Sequence, residues 1–171
     1  MTGWSLATFN LSPRFPMTRF QECLQPQGPR AVLLSVRPRF AEQIYAGTKT
    51  VEFRRSWAAE PVGLAVIYSS SPVQCLVGIV EIEGTVIASP ASVWTKCRVR
   101  GPGLARKELM EYFAGKSQAY GILLGKLTRP EKPIRPKALF KGFRPPQSFR
   151  YLTATELRRI GKQFGLREEL Q

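Results

Sequence analysis

The first strand and the first helix are the clearest elements in the hydrophobic pattern. Residues 31–36 form a nearly continuous apolar run, which is typical of a buried strand. Residues 38–46 follow as a helix, with Phe40 and Ile44 four residues apart on its inward face. Gly47 ends this helix, because glycine readily adopts the left-handed conformation common at helix ends. The pattern therefore predicts a strand, a short helix and a sharp turn in succession.

Strands and helices are mixed along the rest of the chain, which predicts an α+β domain. Strands are predicted at 50–55, 63–68, 75–83 and 119–127, and helices from Pro90 onward, at 104–114 and at 153–165. The last helix is signalled by a capping box of Thr153 and Glu156. Repeated prolines over 128–150 remove amide donors, which predicts loop and edge strand. Residues 1–30 show no sustained period and are predicted to be a flexible extension before a domain over 31–171.

Charged side chains are concentrated on the strand predicted at 50–55. Side chains alternate between the two faces of a strand, so Glu52 and Arg54 share one face. Lys49 lies just before the strand, beside the same face. These three side chains form either a compact polar site or an ion pair that only fixes the opening of the strand. The fourth strand ends with Glu81, which either reaches solvent or meets Lys49 or Arg54 in a cleft.

Five short runs of residues stand out around this polar strand. They are Ser35-Val36-Arg37-Pro38, Gly47-x-Lys49-x-x-Glu52-x-Arg54, Tyr68-Ser69-Ser70-Ser71-Pro72, Val77-Gly78 and Ala119-Tyr120-Gly121-Ile122. Together they resemble the signature of the ASCH domain, a branch of the PUA-like fold, over roughly residues 31–151. The resemblance implies a small, strongly bent mixed β-barrel with flanking helices. It also implies a cleft for RNA or a nucleotide-like ligand.

The ligand-binding candidates in that cleft are Lys49, Glu52, Arg54, Ser69 and Ser70. Small hydroxyl residues at the end of a strand can bind an anion or an amide. They can equally satisfy the hydrogen bonds of a turn, and the sequence leaves both interpretations of the serines open.

The resemblance also implies two possible activities. Some ASCH proteins resemble this chain and hydrolyse the amide of acetylated cytidine, using the motif lysine, a threonine three residues later and a glutamate on a following strand. Lys49 matches that lysine, and Glu81 or Glu83 would match the glutamate. Glu52 occupies the threonine position, which removes the nucleophile of that mechanism. A ribonuclease would instead use Lys49 and Glu52 as acid and base on an RNA 2′-hydroxyl, with Arg54 holding phosphate.

The composition excludes several kinds of catalytic and metal site. The chain has 171 residues, enough for one domain, and contains neither histidine nor aspartate. This excludes Ser-His-Asp and Cys-His catalysis and histidine-containing zinc sites. Cys23, Cys75 and Cys97 are too far apart for a CxxC pair, which predicts reduced cysteines in a cytoplasmic protein. No apolar run approaches the ~18 residues of a membrane span, and no metal, cofactor or membrane partner is predicted.

Positive charge is concentrated in one third of the chain. Of the net +14, residues 96–150 contribute +11, with fourteen basic and three acidic residues. Such a block is typical of a phosphate-binding surface and favours a nucleic acid partner, although a merely soluble surface would look the same. The candidate phosphate contacts are Arg98, Arg100, Arg129, Lys137, Lys141, Arg144 and Arg150. Phe140, Phe143 and Phe149 alternate with these cations and could stack on bases, but each is predicted to pack on the barrel.

Overall fold

A curled sheet of six strands forms the centre of the fold in the computed structural model, which describes residues 17–168. The strands are β1 (Arg30–Val36), β2 (Val51–Arg54), β3 (Val62–Ser69), β4 (Cys75–Ala88), β5 (Ala119–Thr128) and β6 (Phe149–Tyr151). The helices in this part of the chain are α1 (Arg19–Leu24), α2 (Pro38–Ala46), α3 (Pro90–Cys97), α4 (Arg106–Tyr112) and α5 (Ala154–Gln163), with a 3₁₀ turn at Pro136–Ala138. This mixture confirms the predicted α+β class.

The strands pair in the order β2-β5-β4-β3-β1-β6, which places β2 and β6 at the edges of the sheet. β1 and β3 run parallel, while the other neighbours are antiparallel. The register of β4 against β5 shifts on both sides of Ile82. Such irregularities increase the local twist, and they help to curl the sheet into a half-barrel. The half-barrel confirms the predicted PUA-like sheet with flanking helices.

The two faces of the sheet bury different side chains. The inner face is lined by apolar side chains of β1, β3, β4 and β5 and is covered in part by α2; it includes Val32, Leu34, Ile67, Val80, Ile82 and Ile122. The outer face is covered by α1 and α5 and includes Leu33, Val66, Ile79, Leu157 and Ile160. A third cluster packs α3 and α4 against β2, with Val51, Phe53, Val93 and Leu109 at its centre. The strand periodicity therefore separates an inner surface from an outer one.

The predicted flexible extension is wrong for the part of residues 1–30 that the structure describes. Residues 19–24 form α1, which begins with a capping box between Thr18 and Gln21. Phe20 is buried in the outer cluster, and a Cβ added to Gly161 would lie only 2.3 Å from its ring. A six-residue helix that buries one aromatic ring is too short to produce a visible hydrophobic period. Residues 1–16 of the predicted extension lie outside the described residues.

Two helix predictions are confirmed, while one strand is longer than predicted. α2 has the predicted bounds, and Gly47 ends it with a φ of 78°. α5 begins with the predicted capping box. The Thr153 hydroxyl accepts a hydrogen bond from the Glu156 amide, and the Glu156 carboxylate accepts one from the Thr153 amide. β4 continues past its predicted end to Ala88, because β5 pairs with it as far as Ala119. Tertiary pairing, rather than the local pattern, decides where β4 ends.

The charge of Glu156 is expected to stabilise the start of α5. Burial raises the pKa of its carboxyl, but hydrogen bonds from Arg150 and Thr153 outweigh this and hold the pKa below its usual 4.5. The ionised carboxylate therefore contributes stability above that usual pKa, and the contribution is lost as the pH falls through the lower pKa of the folded protein. Glutamine keeps an oxygen for the capping box but loses the charge, so we expect Glu156→Gln to reduce the free energy of unfolding by at most about 1 kcal/mol at neutral pH.

Urea unfolding of both proteins across the acid range measures this effect. The difference between wild type and Glu156→Gln should shrink as the pH falls, because the wild-type side chain becomes uncharged too. An equal difference at neutral and acid pH would show that the capping geometry matters and the charge does not.

Candidate functional site

The turn after α2 fixes the position of Lys49. The backbone amides of Thr48 and Lys49 donate to the Gln43 carbonyl at 2.9 and 3.1 Å. These bonds satisfy a carbonyl at the end of the helix and hold the turn against it. The Lys49 side chain is thereby directed inward, and only 2% of the residue is exposed.

Lys49, Glu52 and Arg54 form a buried ionic cluster. Glu52 and Arg54 are 6% and 9% exposed. The Glu52 carboxylate lies between the two cations, with Oε2 3.5 Å from Lys49 Nζ and Oε1 3.1 Å from Arg54 Nε. The structure thus brings together the three charged residues of the motif. A buried carboxylate shared by two cations is stable only if its hydrogen bonds are also satisfied.

Neighbouring groups complete these hydrogen bonds. Lys49 Nζ donates to the Pro102 carbonyl at 2.7 Å and lies 4.9 Å from the centre of the Phe40 ring. Arg54 Nη2 donates to the Ser35 carbonyl at 2.6 Å, and Nη1 donates to Ser148 Oγ at 3.3 Å. Arg54 therefore ties β2 to β1 and to the segment before β6. Its donors are largely occupied by protein acceptors.

The loop of residues 101–103 closes over Lys49. The Gly101 carbonyl accepts from the Thr50 amide at 2.8 Å. A Cβ at Gly101 would lie 2.2 Å from the Thr48 carbonyl oxygen, so no larger residue fits. Gly103 has a φ of 76° and lies against the aliphatic part of Lys49. In the sequence, Gly101 and Gly103 flank Pro102, and these two glycines were the signal of close backbone approach.

An open cavity of ≈ 720 Å³ lies above this cluster. Arg37 lines it, together with hydroxyl and amide groups that include Ser70, Ser71, Gln74 and Gln147. α4 contributes Glu108, Glu111 and Tyr112 to the lining. The Ser70 amide donates to the Val36 carbonyl at 2.9 Å, which holds the serine turn beside Arg37. Besides the cluster, the cavity is therefore lined by one arginine, by several hydroxyl and amide groups and by two carboxylates.

Burial lowers the pKa of the Lys49 ammonium from its usual 10.5, and the carboxylate of Glu52 only partly opposes this shift. The folded protein therefore binds this proton less tightly than the unfolded chain does. The protonated side chain costs stability at neutral pH, and that cost is relieved as the pH rises from the lowered pKa toward 10.5. Stability relative to a variant without the amine should accordingly increase in this alkaline range.

Lys49→Met provides the comparison, because methionine has a similar length and no charge. We expect the stability of wild type relative to Lys49→Met to rise with pH below 10.5 in urea unfolding. Other groups that titrate in this range contribute equally to both proteins and cancel in the difference. A difference that does not change with pH would mean that the amine keeps its usual pKa.

The remaining predicted site residues are distributed unevenly around the cavity. Ser70 lines it, whereas Ser69 is buried within the sheet at 2% exposure and does not. Glu81 lies on the outer face of β4, opposite Leu64, and its charge acts on Cys23 instead of on Lys49. The alternation of β4 directs it away from the inner face, so its prediction as a catalytic residue beside Lys49 is wrong. Glu83 pairs with Arg100 at the surface.

Three of the seven predicted phosphate contacts are already engaged by other groups of the protein. Arg100 and Arg150 are engaged in ion pairs, at 2.6 Å with Glu83 and at 2.9 Å with Glu156. Arg129 donates to the Tyr45 carbonyl at 2.8 Å. The others are exposed and make no ion pair with residues 17–168; they are Arg98, Lys137, Lys141 and Arg144. Of the seven, Arg144 directly precedes the Pro145 and Pro146 wall of the cavity.

The three phenylalanines of the basic segment pack against the protein. Phe140 and Phe143 contact the outer cluster, and Phe149 contacts the inner cluster. This confirms the interpretation that they serve the core. They are therefore not available as a row of stacking platforms for bases.

The cysteines are unpaired, as predicted. Cys75 and Cys97 are buried, and burial raises the pKa of the Cys23 thiol to about 12. None of the helices formed by residues 17–168 has the length and hydrophobicity that a membrane crossing requires.

Both the sequence and the fold are similar to those of ASCH proteins. Residues 34–130 match the family model of the ASCH domain. The chain is 30% identical over 138 residues to an ASCH domain-containing ribonuclease from Zymomonas mobilis, covering 77% of this chain and 90% of that protein. The crystal structure of ASCH from Zymomonas mobilis has a TM-score of 0.71 at 29% identity, with 78% and 94% of the two chains covered. A tyrosine-to-phenylalanine variant of that protein gives 0.70 at 28% identity, with coverage of 78% and 97%.

The half-barrel and its flanking helices define the class: a PUA-like module. Since the family match spans more than half of the chain, this protein belongs to the ASCH domain family. The resemblance around residues 47–54 is thereby confirmed.

Proposed function

We propose that the cleft binds one nucleotide unit of a single-stranded RNA above the cluster of Lys49, Glu52 and Arg54. The observation that carries this proposal is a buried ionic cluster at the floor of an open cavity. Its volume of ≈ 720 Å³ lies within the range of small-ligand sites, roughly 300–1,000 Å³. Buried charges are costly to maintain, so a cluster beneath an open cavity favours a binding role over a purely structural one.

The charge distribution of the cavity orients the nucleotide. Arg37, with Ser70 and Ser71, supplies donors suited to a phosphate. On α4, Glu108 pairs with Arg39, whereas Glu111 makes no ion pair with residues 17–168. A free carboxylate accepts hydrogen bonds from an exocyclic amino group of a base. The phosphate therefore lies toward Arg37 and the base toward α4.

RNA cleavage is the second candidate function. It is supported by the lowered pKa of Lys49 and by the ribonuclease name of the Zymomonas mobilis relative. A neutral Lys49 amine accepts the proton of a 2′-hydroxyl while the oxygen attacks the adjacent phosphorus. The bond from phosphorus to the 5′-oxygen breaks, and that oxygen takes a proton from water. Arg37 is better placed than Arg54 to bind the phosphate, because the Arg54 donors already serve protein acceptors.

The geometry gives less support to hydrolysis of acetylated cytidine. Lys49 Nζ contacts the Pro102 carbonyl and the Glu52 carboxylate, and no hydroxyl group of residues 17–168 donates to either partner. The hydroxyl groups of Ser70 and Ser71 line the cavity. Glu52 occupies the position three residues after Lys49 at which that mechanism uses a threonine.

Titration of short single-stranded RNA and of nucleoside monophosphates against wild type and Lys49→Met tests the proposal. Loss of the ammonium should weaken binding by about tenfold or more, since charged hydrogen bonds contribute about 1.5–3 kcal/mol. Lys116→Met is the matched control, because Lys116 is exposed and does not line the cavity. Equal affinity in all three proteins would contradict the cleft as the binding site. Mass spectrometry of the recovered RNA shows whether wild type also cleaves it.

A further inference from the structure

A second concave surface lies between α1 and the end of α5. It has a volume of ≈ 620 Å³ and is called here the α1–α5 groove. Its lining combines apolar and charged side chains: Phe20, Leu166, Arg158, Arg159, Lys162, Arg167 and Glu168. The groove thus combines an open concave shape with an excess of positive charge.

The groove is separate from the cleft. α1 and α5 pack on the outer face of the sheet, against Leu33 and Val66. The side chains of Glu52 and Arg54 extend from the opposite face of β2, where Glu52 pairs in register with the inner residue Ile122. The sheet itself therefore lies between the two sites, and the cations of the groove cannot serve the cleft.

Most of the positive charge in the groove is not neutralised by the described residues. Arg158 Nε pairs with Glu168 Oε2 at 2.9 Å. Arg159, Lys162 and Arg167 are exposed and make no ion pair with residues 17–168. The helix dipole stabilises a cation in the last turn of α5, which accounts for the position of Lys162. It does not account for Arg159 or Arg167.

The positive charge of the groove is not evident from the net charge of the sequence segment that contains α5. Residues 151–171 have a net charge of only +1, with four basic and three acidic residues. Of the acidic residues that the structure describes here, Glu156 turns toward Arg150 in β6 and Glu168 toward Arg158; Glu169 lies outside the described residues. Three cations remain around one concavity. An anion with several charges, such as a phosphodiester chain, complements this arrangement.

The chain between the two sites follows the edge of the sheet. Pro145 and Pro146 line the cleft, the edge strand β6 comes next, and α5 then carries the cations of the groove. Arg144 and Arg150 lie along this path, one exposed and one half-buried. A single strand that contacts both sites would therefore leave the cleft at its proline wall and pass around β6 toward α5.

We propose that the α1–α5 groove is a second phosphate-binding site, which contacts the backbone of an RNA whose other segment occupies the cleft. This inference rests on the proposed function of the cleft. RNA that fills only the cleft does not reach the groove, whereas longer RNA contacts both. Affinity for longer RNA therefore includes a salt-dependent contribution from the groove, which affinity for a mononucleotide lacks.

The double variant Arg159→Ala, Lys162→Ala tests this site. Its affinity for a single-stranded RNA of roughly twenty nucleotides is measured between about 50 and 200 mM salt. We expect the slope of log affinity against log salt to become shallower by about 1.4, because each phosphate contact contributes about 0.7 for single strands. Binding of nucleoside monophosphates should not change.

Lys116→Ala, Lys126→Ala is the control, since it removes the same charge from exposed positions that line neither site. An equal loss of slope in both double variants would overturn the groove and leave only a net-charge effect. An unchanged slope in the groove variant would also overturn the proposal. That result is expected if the groove binds an acidic protein instead of RNA. If wild type binds no monophosphate but the groove variant still loses slope, the cleft proposal fails and the groove remains.

Discussion

Glu52→Ala is expected to reduce the free energy of unfolding by about 3–5 kcal/mol, the usual cost of removing one partner from a buried ion pair. Glu52 is only 6% exposed and lies between Lys49 and Arg54. Without its carboxylate, both cations stay in a poorly solvated site and repel each other. Urea unfolding at neutral pH measures the loss. Glu52→Gln should lose less, because its amide oxygen can still accept from Arg54.

Glu60→Ala is the matched control for this experiment. Glu60 also pairs with an arginine, Arg30, at 2.8 Å, but the two side chains are 51% and 38% exposed. An exposed pair of this kind contributes at most about 1 kcal/mol. If Glu52→Ala were no more destabilising than Glu60→Ala, the buried cluster would contribute little to holding β2 in place.

Gly101→Ala is expected to destabilise the protein by about 1–3 kcal/mol, as overpacking of a tight site usually does. The new methyl group would lie 2.2 Å from the Thr48 carbonyl oxygen, and both groups are attached to backbone that cannot rotate away. The loop must therefore move off the turn before β2. That movement removes the Pro102 carbonyl from Lys49, so RNA affinity in the cleft should fall together with stability.

Gly84→Ala controls for the change of glycine to alanine itself. Gly84 lies in β4, and the nearest atom to an added Cβ is in the Leu123 side chain at 4.0 Å. Neither Gly101 nor Gly84 has a φ in the left-handed region, so the two substitutions differ mainly in the space available. Thermal unfolding and RNA titration should leave Gly84→Ala close to wild type. A comparable loss in both variants would point to backbone flexibility rather than to the loop over Lys49.

The sequence could predict those features of the site that depend on residues close together in the chain. Gly47 stops α2 through its own conformational freedom, and alternation along β2 places Glu52 and Arg54 on one face. These are interactions between near neighbours. The same is true of the capping box before α5, which depends on residues only three positions apart.

Contacts between distant segments could not be predicted in this way. The Pro102 carbonyl reaches Lys49 from fifty-three residues away, and Ser148 reaches Arg54 from ninety-four residues away. Neither contact leaves a periodic pattern in the sequence. Glu81 is a further case, since the sequence left it either in solvent or in a cleft, and only the pairing of β4 assigns it to the outer face.

The position of β2 at an edge of the sheet has a consequence for the behaviour of the protein in concentrated solution. Edge strands with unpaired backbone groups are where separate molecules join into aggregates. β2 is only four residues long, and its inward side chains Glu52 and Arg54 are charged. A second chain that extended the sheet here would have to pack beside these charges. The charges that we assign to the cleft therefore also protect the protein from self-association through this edge.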